Sequence, residues 1–173
     1  VWEHQALTRA RFSAGSSGVG EFFDSVRLEV LSQQRDIDHL RHEILGMRRK
    51  VHAGHPNANI EFDLKHDAGG MVDIEFMVQF LVLAYAHKHP QLIGNLGNIA
   101  LLQIAGDVNL ISQEAAKAVG DAYRLLRARQ HRLRLDGADK TRINLEHEPE
   151  LSAAKDAVQA LWLEIFQAPS NLS

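Results

Sequence analysis

Apolar residues recur three and four positions apart in two separate stretches of this chain, and that spacing restricts its fold more than any other feature. On an α-helix, it places the apolar side chains along one side. The two sets are Ile37, Leu40, Ile44, Met47 and Val51, and Leu151, Ala154, Val158, Leu161 and Ile165. Both stretches are too short for a long coiled coil. We therefore predict two amphipathic helices that pack with others in a bundle.

Further helices are predicted between these two. The range 19–31 has an apolar face, a shorter apolar helix is expected over 98–105, and Ser112 is a suitable N-cap for a long helix ending near Leu135. The apolar face of the first of these consists of Phe22, Phe23, Val26 and Val30. Only the range 59–64 alternates between apolar and polar residues, so an isolated two-stranded piece stays an open alternative there. The overall prediction is an all-α helical bundle of about five to seven helices, forming a single helical domain over residues 1–173.

Charge and cysteine content exclude several classes of protein. The chain has 19 Lys and Arg residues against 22 Asp and Glu residues, a formal net charge of -3, whereas nucleic-acid-binding domains usually carry a clustered basic excess. We therefore expect no nucleic-acid partner. The absence of cysteine excludes a disulfide framework and thiolate metal sites. It is also typical of a protein from a reducing compartment, so we expect a cytoplasmic location.

The most apolar stretch of the chain covers residues 71–86. It contains Asp73, Glu75 and Gln79, and it is shorter than the roughly 20 residues that an α-helix needs to cross a bilayer. We therefore expect a buried helix and no membrane contact.

The densest group of polar residues lies in the range 62–76, where a charged loop leads through two glycines into this apolar helix. The six candidate site residues are Lys65, Asp67, Gly69, Gly70, Asp73 and Glu75. One hypothesis is a phosphate site, because free amides at a helix amino end, close backbone approach at glycine and a lysine all favour anions. The other is a magnesium site, since this cation prefers carboxylate oxygens such as those of Asp67, Asp73 and Glu75.

A purely structural explanation accounts for the same residues. Asp67 would cap the helix, Asp73 would interact favourably with its dipole, and Lys65 would neutralise its neighbours. Glu75 and Gln79 lie four positions apart, on the same side of a helix that is apolar almost all round. Because buried polar groups need partners, we expect this pair to hydrogen-bond to neighbouring helices or loops.

A second concentration of charge lies near the end of the long helix that follows Ser112. It consists of Arg124, Arg127, Arg129, His131, Arg132 and Arg134. Cations near a helix carboxyl end are favoured by its dipole, and these residues point in several directions. We therefore predict a solvated face; the alternative is a set of anchors for an acidic partner or a phosphate.

The sequence has none of the common catalytic signatures. Its ten histidines form no HExxH pair and no cysteine completes a zinc set, so we assign no metal site. It also has no GxSxG elbow, no P-loop and no GxGxxG motif. These features argue against self-contained catalysis.

Three segments resemble one protein family. The first has Phe62-Asp63-Leu64-Lys65, then Asp67 with Gly69-Gly70, then Asp73-Ile74-Glu75-Phe76, with Gln79 and Leu81-Val82-Leu83 following. The second is the opening run, residues 2–11, and the third is the range 41–50 with its Met-Arg-Arg-Lys stretch. In this order they are similar to glutamine synthetase adenylyltransferase, and the resemblance covers most of the chain.

The resemblance implies a function. Enzymes of this family have two nucleotidyltransferase cores, each followed by a helical domain, and add AMP from ATP to a tyrosine of glutamine synthetase, or remove it, under control of the PII signal protein. The chain resembles the second helical domain. It has no initiator Met and no signal peptide, so we expect an excised fragment that follows an absent core, with residues 1–12 as a leading helix packing toward that core. Mg2+ and ATP would bind the core, and the fragment alone would be inactive.

The resemblance also implies roles for the six candidates in completing the active-site cleft. Lys65 would contact phosphate or substrate charge, Gly69 and Gly70 would permit close approach, and Asp73 and Glu75 would orient the loop, with Asp67 beside them. Two alternatives stay open. One is a protein-interaction module that binds PII or glutamine synthetase without cleft residues, and the other is the matching domain of a PII uridylyltransferase.

Overall fold

A computed structural model describes residues 2–167 as a bundle of seven α-helices. The helices are α1 (Trp2–Leu7), α2 (Ser17–Leu31), α3 (Ile37–Ala53), α4 (Met71–Tyr85), α5 (Asn98–Asp107), α6 (Gln113–Leu135) and α7 (Pro149–Gln167). Short 3-10 turns cover Pro90–Ile93 and Leu145–His147. The strand β1 (Phe62–Asp63) pairs antiparallel with β2 (Arg142–Ile143). These elements confirm the all-α bundle, and β1 confirms the two-stranded alternative for the range 59–64.

Helix α4 is the centre of the bundle. Twelve of its 15 residues are buried, and α1, α3, α5, α6 and α7 all pack against it. A helix that is apolar on all sides is stable in water only when it is surrounded in this way. The prediction of a buried helix over 71–86 is therefore confirmed. Within residues 2–167, no helix has both the length and the apolar character needed to span a bilayer.

The two periodic stretches form helices whose apolar sides face the core. Leu40 and Ile44 are fully buried in α3, and all five predicted positions are buried in α7. The predicted N-cap of α6 is also present, since the hydroxyl oxygen of Ser112 accepts from the amide of Ala115 at 3.0 Å. Spacing and capping signals therefore predicted these helices correctly.

Helix α2 is rotated away from the orientation that its apolar pattern predicts. It turns Gly20, Arg27 and Leu31 toward the body of the protein, while Phe22 is 70% exposed. The guanidinium of Arg27 donates to the carbonyl oxygens of Leu7 at 2.9 Å, Thr8 at 3.2 Å and Ile93 at 2.5 Å. Because a buried guanidinium needs acceptors, these bonds set the rotation of α2. The prediction that Phe22 faces the core was wrong, and the other three residues of that face are half-buried.

This rotation predicts that replacing Phe22 changes the free energy of unfolding unusually little for an aromatic residue. Replacing Phe22 by serine should change the free energy of unfolding by less than about 0.5 kcal/mol, because little apolar surface is lost from the interior. Replacing the half-buried Phe23 by serine should cost more, about 1 kcal/mol. Urea denaturation of both variants measures the difference. A larger cost for Phe22→Ser than for Phe23→Ser would show that α2 is rotated differently.

The leading helix is shorter than predicted. Val1 lies outside the described residues, and α1 ends at Leu7. The carbonyl oxygens of Leu7 and Thr8, at this end of the helix, accept hydrogen bonds from Arg27. The chain then makes one further turn, in which the amide of Ala10 donates to the carbonyl of Ala6 at 3.0 Å. The side chain of Gln5 is buried against α4. Helix α1 is thus attached to this bundle, and its packing toward another domain stays a prediction.

Candidate functional site

The candidate loop runs from the end of β1 to the start of α4, and it is held at both ends. The amide of Leu64 donates to the carbonyl of Thr141, beside β2, at 3.0 Å. One carboxylate oxygen of Asp63 accepts from the amides of Lys65 at 2.9 Å and His66 at 3.0 Å. Burial alone would raise the pKa of Asp63, but these two amides and the His66 ring lower it below its ordinary value. Asp63 therefore fixes the first turn of the loop.

Asp67 holds the loop from its other side. Its carboxylate accepts from the side-chain amide of Asn57 at 2.6 Å and from the backbone amide of Asp63 at 2.8 Å. The N-cap of α4 is Gly70, and no side chain caps this helix. The expectation that Asp67 caps α4 was therefore wrong, because its carboxylate bonds within the loop.

The backbone amides at the start of α4 are already hydrogen-bonded. The four backbone amides from Gly70 to Asp73 each donate to a carbonyl oxygen of the loop or of the N-cap, at 2.9 to 3.1 Å. The donor and acceptor pairs are Gly70 to Asp67, Met71 to Leu64, Val72 to Lys65, and Asp73 to Gly70. A phosphate needs free amides at a helix amino end. The phosphate hypothesis was therefore wrong for this helix start.

Asp73 links the loop to α3. Its side chain is buried, its Oδ1 pairs with Nε of Arg48, and its Oδ2 accepts from the amide of Gly69 at 2.7 Å. Nη2 of Arg48 also donates to the carbonyl of His66 at 2.8 Å. One buried ion pair thus connects α3, α4 and the loop. Arg48 was not among the predicted site residues, although its position four residues after Ile44, beside the apolar stripe of α3, was a signal that it is buried.

The two glycines allow close contact with α7 and within the loop. Gly69 has a φ of +88°, a conformation that other residues rarely adopt. A Cβ atom there would lie 2.6 Å from Cγ of Lys155, and one on Gly70 would lie 2.9 Å from the carbonyl oxygen of Asp67. The side chain of Gln159 also donates to the carbonyl of Ala68 at 3.1 Å. Within the protein, Gly69 permits the approach of α7, and Gly70 permits that of carbonyl oxygens of the loop itself. Approach by a ligand stays a prediction.

Glu75 and Gln79 both bond to neighbouring helices, which confirms that prediction. The hydroxyl of Tyr123 on α6 donates to Glu75 at 3.2 Å, and Nε2 of Gln5 on α1 donates to Gln79 at 3.0 Å. Burial and the negative charge of Glu75 both raise the pKa of Tyr123. Glu75 thus lies on the side of α4 that faces α1 and α6, away from the Asp73 ion pair.

The three candidate carboxylates do not form a magnesium site. Asp67 bonds to Asn57, Asp73 to Arg48 and Glu75 to Tyr123. Across the described range 2–167, no three His, Cys, Asp or Glu side chains come together in a way that could hold a metal ion. Three carboxylates can share one magnesium ion only if their oxygens converge, and these three bond to different partners instead. The magnesium hypothesis was wrong for this loop.

Lys65 differs from the other candidates. Its backbone is fixed by Asp63 and Val72, but its side chain is exposed. In the part of the chain that the structure describes, its ammonium group has neither a hydrogen bond nor an ion pair. Lys65 thus combines a fixed backbone with an exposed ammonium group, and its contact with phosphate or substrate charge stays a prediction.

Most of the arginines near the end of α6 are solvated, as predicted. Arg124, Arg127, Arg132 and Arg134 are exposed. Arg129 is the exception, because it forms a bidentate pair with Glu148 at 2.6 and 2.9 Å. That pair ties α6 to the start of α7.

His66, which lies in the loop itself, is a second residue that was not among the predicted site residues. Its ring stacks on His55 with centroids 3.9 Å apart, and its Nδ1 lies 3.5 Å from Oδ1 of Asp63. Burial lowers the pKa of His66, and Asp63 offsets this only in part. The neighbouring charges of His55 and Lys65 also lower it.

This lowered pKa predicts loss of stability in mild acid. The unfolded pKa of histidine is about 6.5, and the folded pKa of His66 lies below it, so the stabilisation is complete above about pH 6.5 and is lost as pH falls through the folded value. Urea midpoints at pH 7.5 and 5.5 measure the loss. His66→Asn should reduce the pH dependence, whereas His131→Asn, on an exposed part of α6, should leave it unchanged. An identical pH dependence in both variants would contradict the prediction.

Comparison with known proteins identifies what this chain resembles. A family model described as GlnD PII-uridylyltransferase matches residues 34–164. Proteins named bifunctional glutamine synthetase adenylyltransferase/adenylyl-removing enzyme are similar over nearly the whole chain. The one from Aromatoleum aromaticum is 54% identical over 166 residues, which cover 96% of this chain and 17% of the relative. The one from Burkholderia pseudomallei is 55% identical over 169 residues, 97% of this chain and 18% of the relative.

The chain therefore spans less than a fifth of the length of these relatives. The matched range of the family model covers α3 to most of α7 and includes all six candidate residues. The chain belongs to the family of the bifunctional glutamine synthetase adenylyltransferases/adenylyl-removing enzymes, as its resemblance implied, and it corresponds to a fragment of these longer proteins.

Proposed function

We propose that this chain is the accessory and regulatory helical domain of an enzyme that transfers AMP from ATP to a tyrosine of glutamine synthetase. It would complete the active-site cleft and position the protein substrate. The observation that carries this proposal is the combination of an available Lys65 ammonium with a loop held by Asp63, Asp67 and the Arg48–Asp73 ion pair. The similarity to named adenylyltransferases supports it.

The catalytic machinery would belong to a nucleotidyltransferase core elsewhere in the longer protein. Asp67, Asp73 and Glu75 do not fit magnesium, so Mg2+ and ATP would bind that core. Trp2 on α1 and Val19 and Phe22 on α2 are exposed apolar side chains, and they support a contact of these two helices with the core. The protein would act in the cytoplasm, with the PII signal protein as its regulator.

The chain's own residues would contribute by positioning and by charge. Transfer of a nucleotidyl group depends largely on orientation of the reactants and on stabilisation of negative charge. Lys65 would supply a positive charge at the cleft. Asp73 would keep the loop in place through the amide of Gly69, and Glu75 would orient α4 through Tyr123.

Replacing Lys65 by alanine in the full-length enzyme tests this proposal. Loss of one preorganised charge at the transferring phosphate should lower kcat/KM for AMP transfer by about a hundredfold. The melting temperature should not change, because the side chain is exposed. Lys65→Arg should recover part of the activity, and Lys50→Ala, which removes another exposed lysine, should have no effect. A folded Lys65→Ala enzyme with unchanged kinetics would refute the role of Lys65.

The isolated chain gives a second test. We expect no AMP transfer by highly purified material, since the described residues contain no converging metal carboxylates. Activity that co-purifies with this chain alone would overturn the assignment of catalysis to another domain.

The family model supports an alternative, the corresponding domain of a PII uridylyltransferase. Full-length enzyme incubated with glutamine synthetase and ATP, or with PII and UTP, distinguishes the two by which protein becomes labelled. A pure protein-binding module is the other alternative. If the core binds nucleotide analogues equally well with and without this bundle, that alternative is favoured.

A further inference from the structure

An open groove separates α3 from α7 on the side of the bundle that carries the Arg48–Asp73 ion pair. Its volume is about 640 Å³, within the range of about 300–1,000 Å³ that is usual for small-molecule sites. Arg48, Arg49 and His52 line one wall, and Trp162 and Leu163 line the other. Ala68 and Asp73 also line it, so the groove adjoins the candidate loop.

The two walls differ in chemistry. On α7, Leu163 is 48% exposed, and the indole of Trp162 is fixed against Phe166 with ring centroids 4.3 Å apart. Both offer apolar surface at a fixed position. On α3, the exposed side chains of Arg49 and His52 present nitrogen donors. An occupant that matches both walls has an apolar body and an anionic group.

Arg48 supplies a hydrogen-bond donor that is not used within the described residues, while the net positive charge of this wall comes from the exposed Arg49. Its side chain is only 9% exposed, and its charge is neutralised by Asp73. Nε donates to Asp73 and Nη2 to the carbonyl of His66, but Nη1 is buried without a hydrogen-bond partner among residues 2–167. A buried N–H that lacks an acceptor is energetically costly. A small shift of the guanidinium toward the groove would offer Nη1 to a ligand carboxylate.

We propose that this groove is a binding site for a small amphipathic carboxylate. The apolar body packs between Trp162 and Leu163, and the carboxylate accepts from Arg48 and Arg49. Binding also affects the candidate loop, because the guanidinium of Arg48 donates to the carbonyl of His66 and the carboxylate of Asp73 accepts from the amide of Gly69. The site is therefore placed to act as an effector site, and its existence does not depend on the proposed function.

A titration with 2-naphthoate tests the ligand chemistry, with 2-naphthalenemethanol as its uncharged counterpart. In NMR spectra of the 15N-labelled chain, the acid should shift the indole resonance of Trp162, the Nε resonance of Arg48 and the amide of Gly69. The indole of Trp2, which does not line the groove, should not shift. Because a charge-assisted hydrogen bond is gained, the acid should bind about tenfold more tightly than the alcohol.

Two variants locate the site, and a third serves as the matched control. Ala53→Trp fills the groove from its exposed α3 rim, and Leu163→Glu adds a like charge on the opposite rim; each should weaken naphthoate binding by about tenfold or more. Leu28→Glu makes the same change on α2 at a residue that is 52% exposed, and it should leave affinity unchanged. The proposal is overturned if acid and alcohol bind equally, if neither binds, or if Ala53→Trp binds naphthoate as the parent chain does.

Discussion

Replacing Asp73 by alanine should lower the free energy of unfolding by about 3–5 kcal/mol, although the substitution removes only a short polar side chain. Asp73 is 4% exposed, and it neutralises Arg48, whose guanidinium is also buried. Without it, a buried cation has no counter-charge and the amide of Gly69 has no acceptor. The cost is therefore the desolvation of groups left behind. Urea denaturation followed by circular dichroism measures it.

Two comparisons separate this explanation from a general effect of removing a carboxylate. Asp121→Ala breaks an exposed pair with Lys117 and Arg124 and should change stability little. The double variant Arg48→Met with Asp73→Leu should recover most of the lost stability, because an apolar pair of similar volume often replaces a buried ion pair without cost. If Asp73→Ala proves no more destabilising than Asp121→Ala, the Arg48–Asp73 pair does not hold the loop.

Local signals in the sequence predicted most of the fold. The spacing of Leu151 to Ile165 and the N-cap Ser112 depend on contacts within a few residues, so they can be read without knowing the rest of the structure. The rotation of α2 could not be read in this way. It depends on Arg27, whose acceptors Leu7 and Ile93 lie 20 and 66 positions away. Apolar spacing shows which side chains favour burial but not which distant carbonyl a buried guanidinium meets.

The sequence predicted where in the chain the candidate site lies, but not which residues its polar side chains bond to. The range 62–76 does contain a loop whose polar residues bond to one another and to neighbouring helices. The partners, however, were not apparent: Arg48 lies 25 positions before Asp73, and Tyr123 lies 48 positions after Glu75. The amides of the first α4 turn were expected to be free, because sequence alone does not show that the loop folds back to supply carbonyl oxygens. Lys65, whose side chain is exposed, is the candidate that these internal bonds leave available for a contact with another molecule.

Replacing Gly69 by alanine should destabilise the protein by about 3 kcal/mol or more, because two costs add. Its φ of +88° is unfavourable for alanine. The new Cβ would also lie 2.6 Å from Cγ of Lys155 and 2.9 Å from the Lys155 carbonyl oxygen. The lysine side chain can move aside, but the carbonyl belongs to the backbone of α7, so α7 or the loop must shift. Thermal and urea denaturation give the size of the loss.

Gly137 provides the control that separates the two costs. Its φ is +82°, but nothing lies within 4 Å of a Cβ built there. Gly137→Ala should therefore cost only the backbone term, about 1–2 kcal/mol. The additional loss of stability in Gly69→Ala measures how closely α7 packs on the loop. In that variant the amide of residue 69 should also exchange faster with solvent, because the shift of the loop would strain its hydrogen bond to Asp73. Equal losses in the two variants would mean that α7 does not restrain the loop. In that case, Lys65 would not be held in a fixed position by this packing.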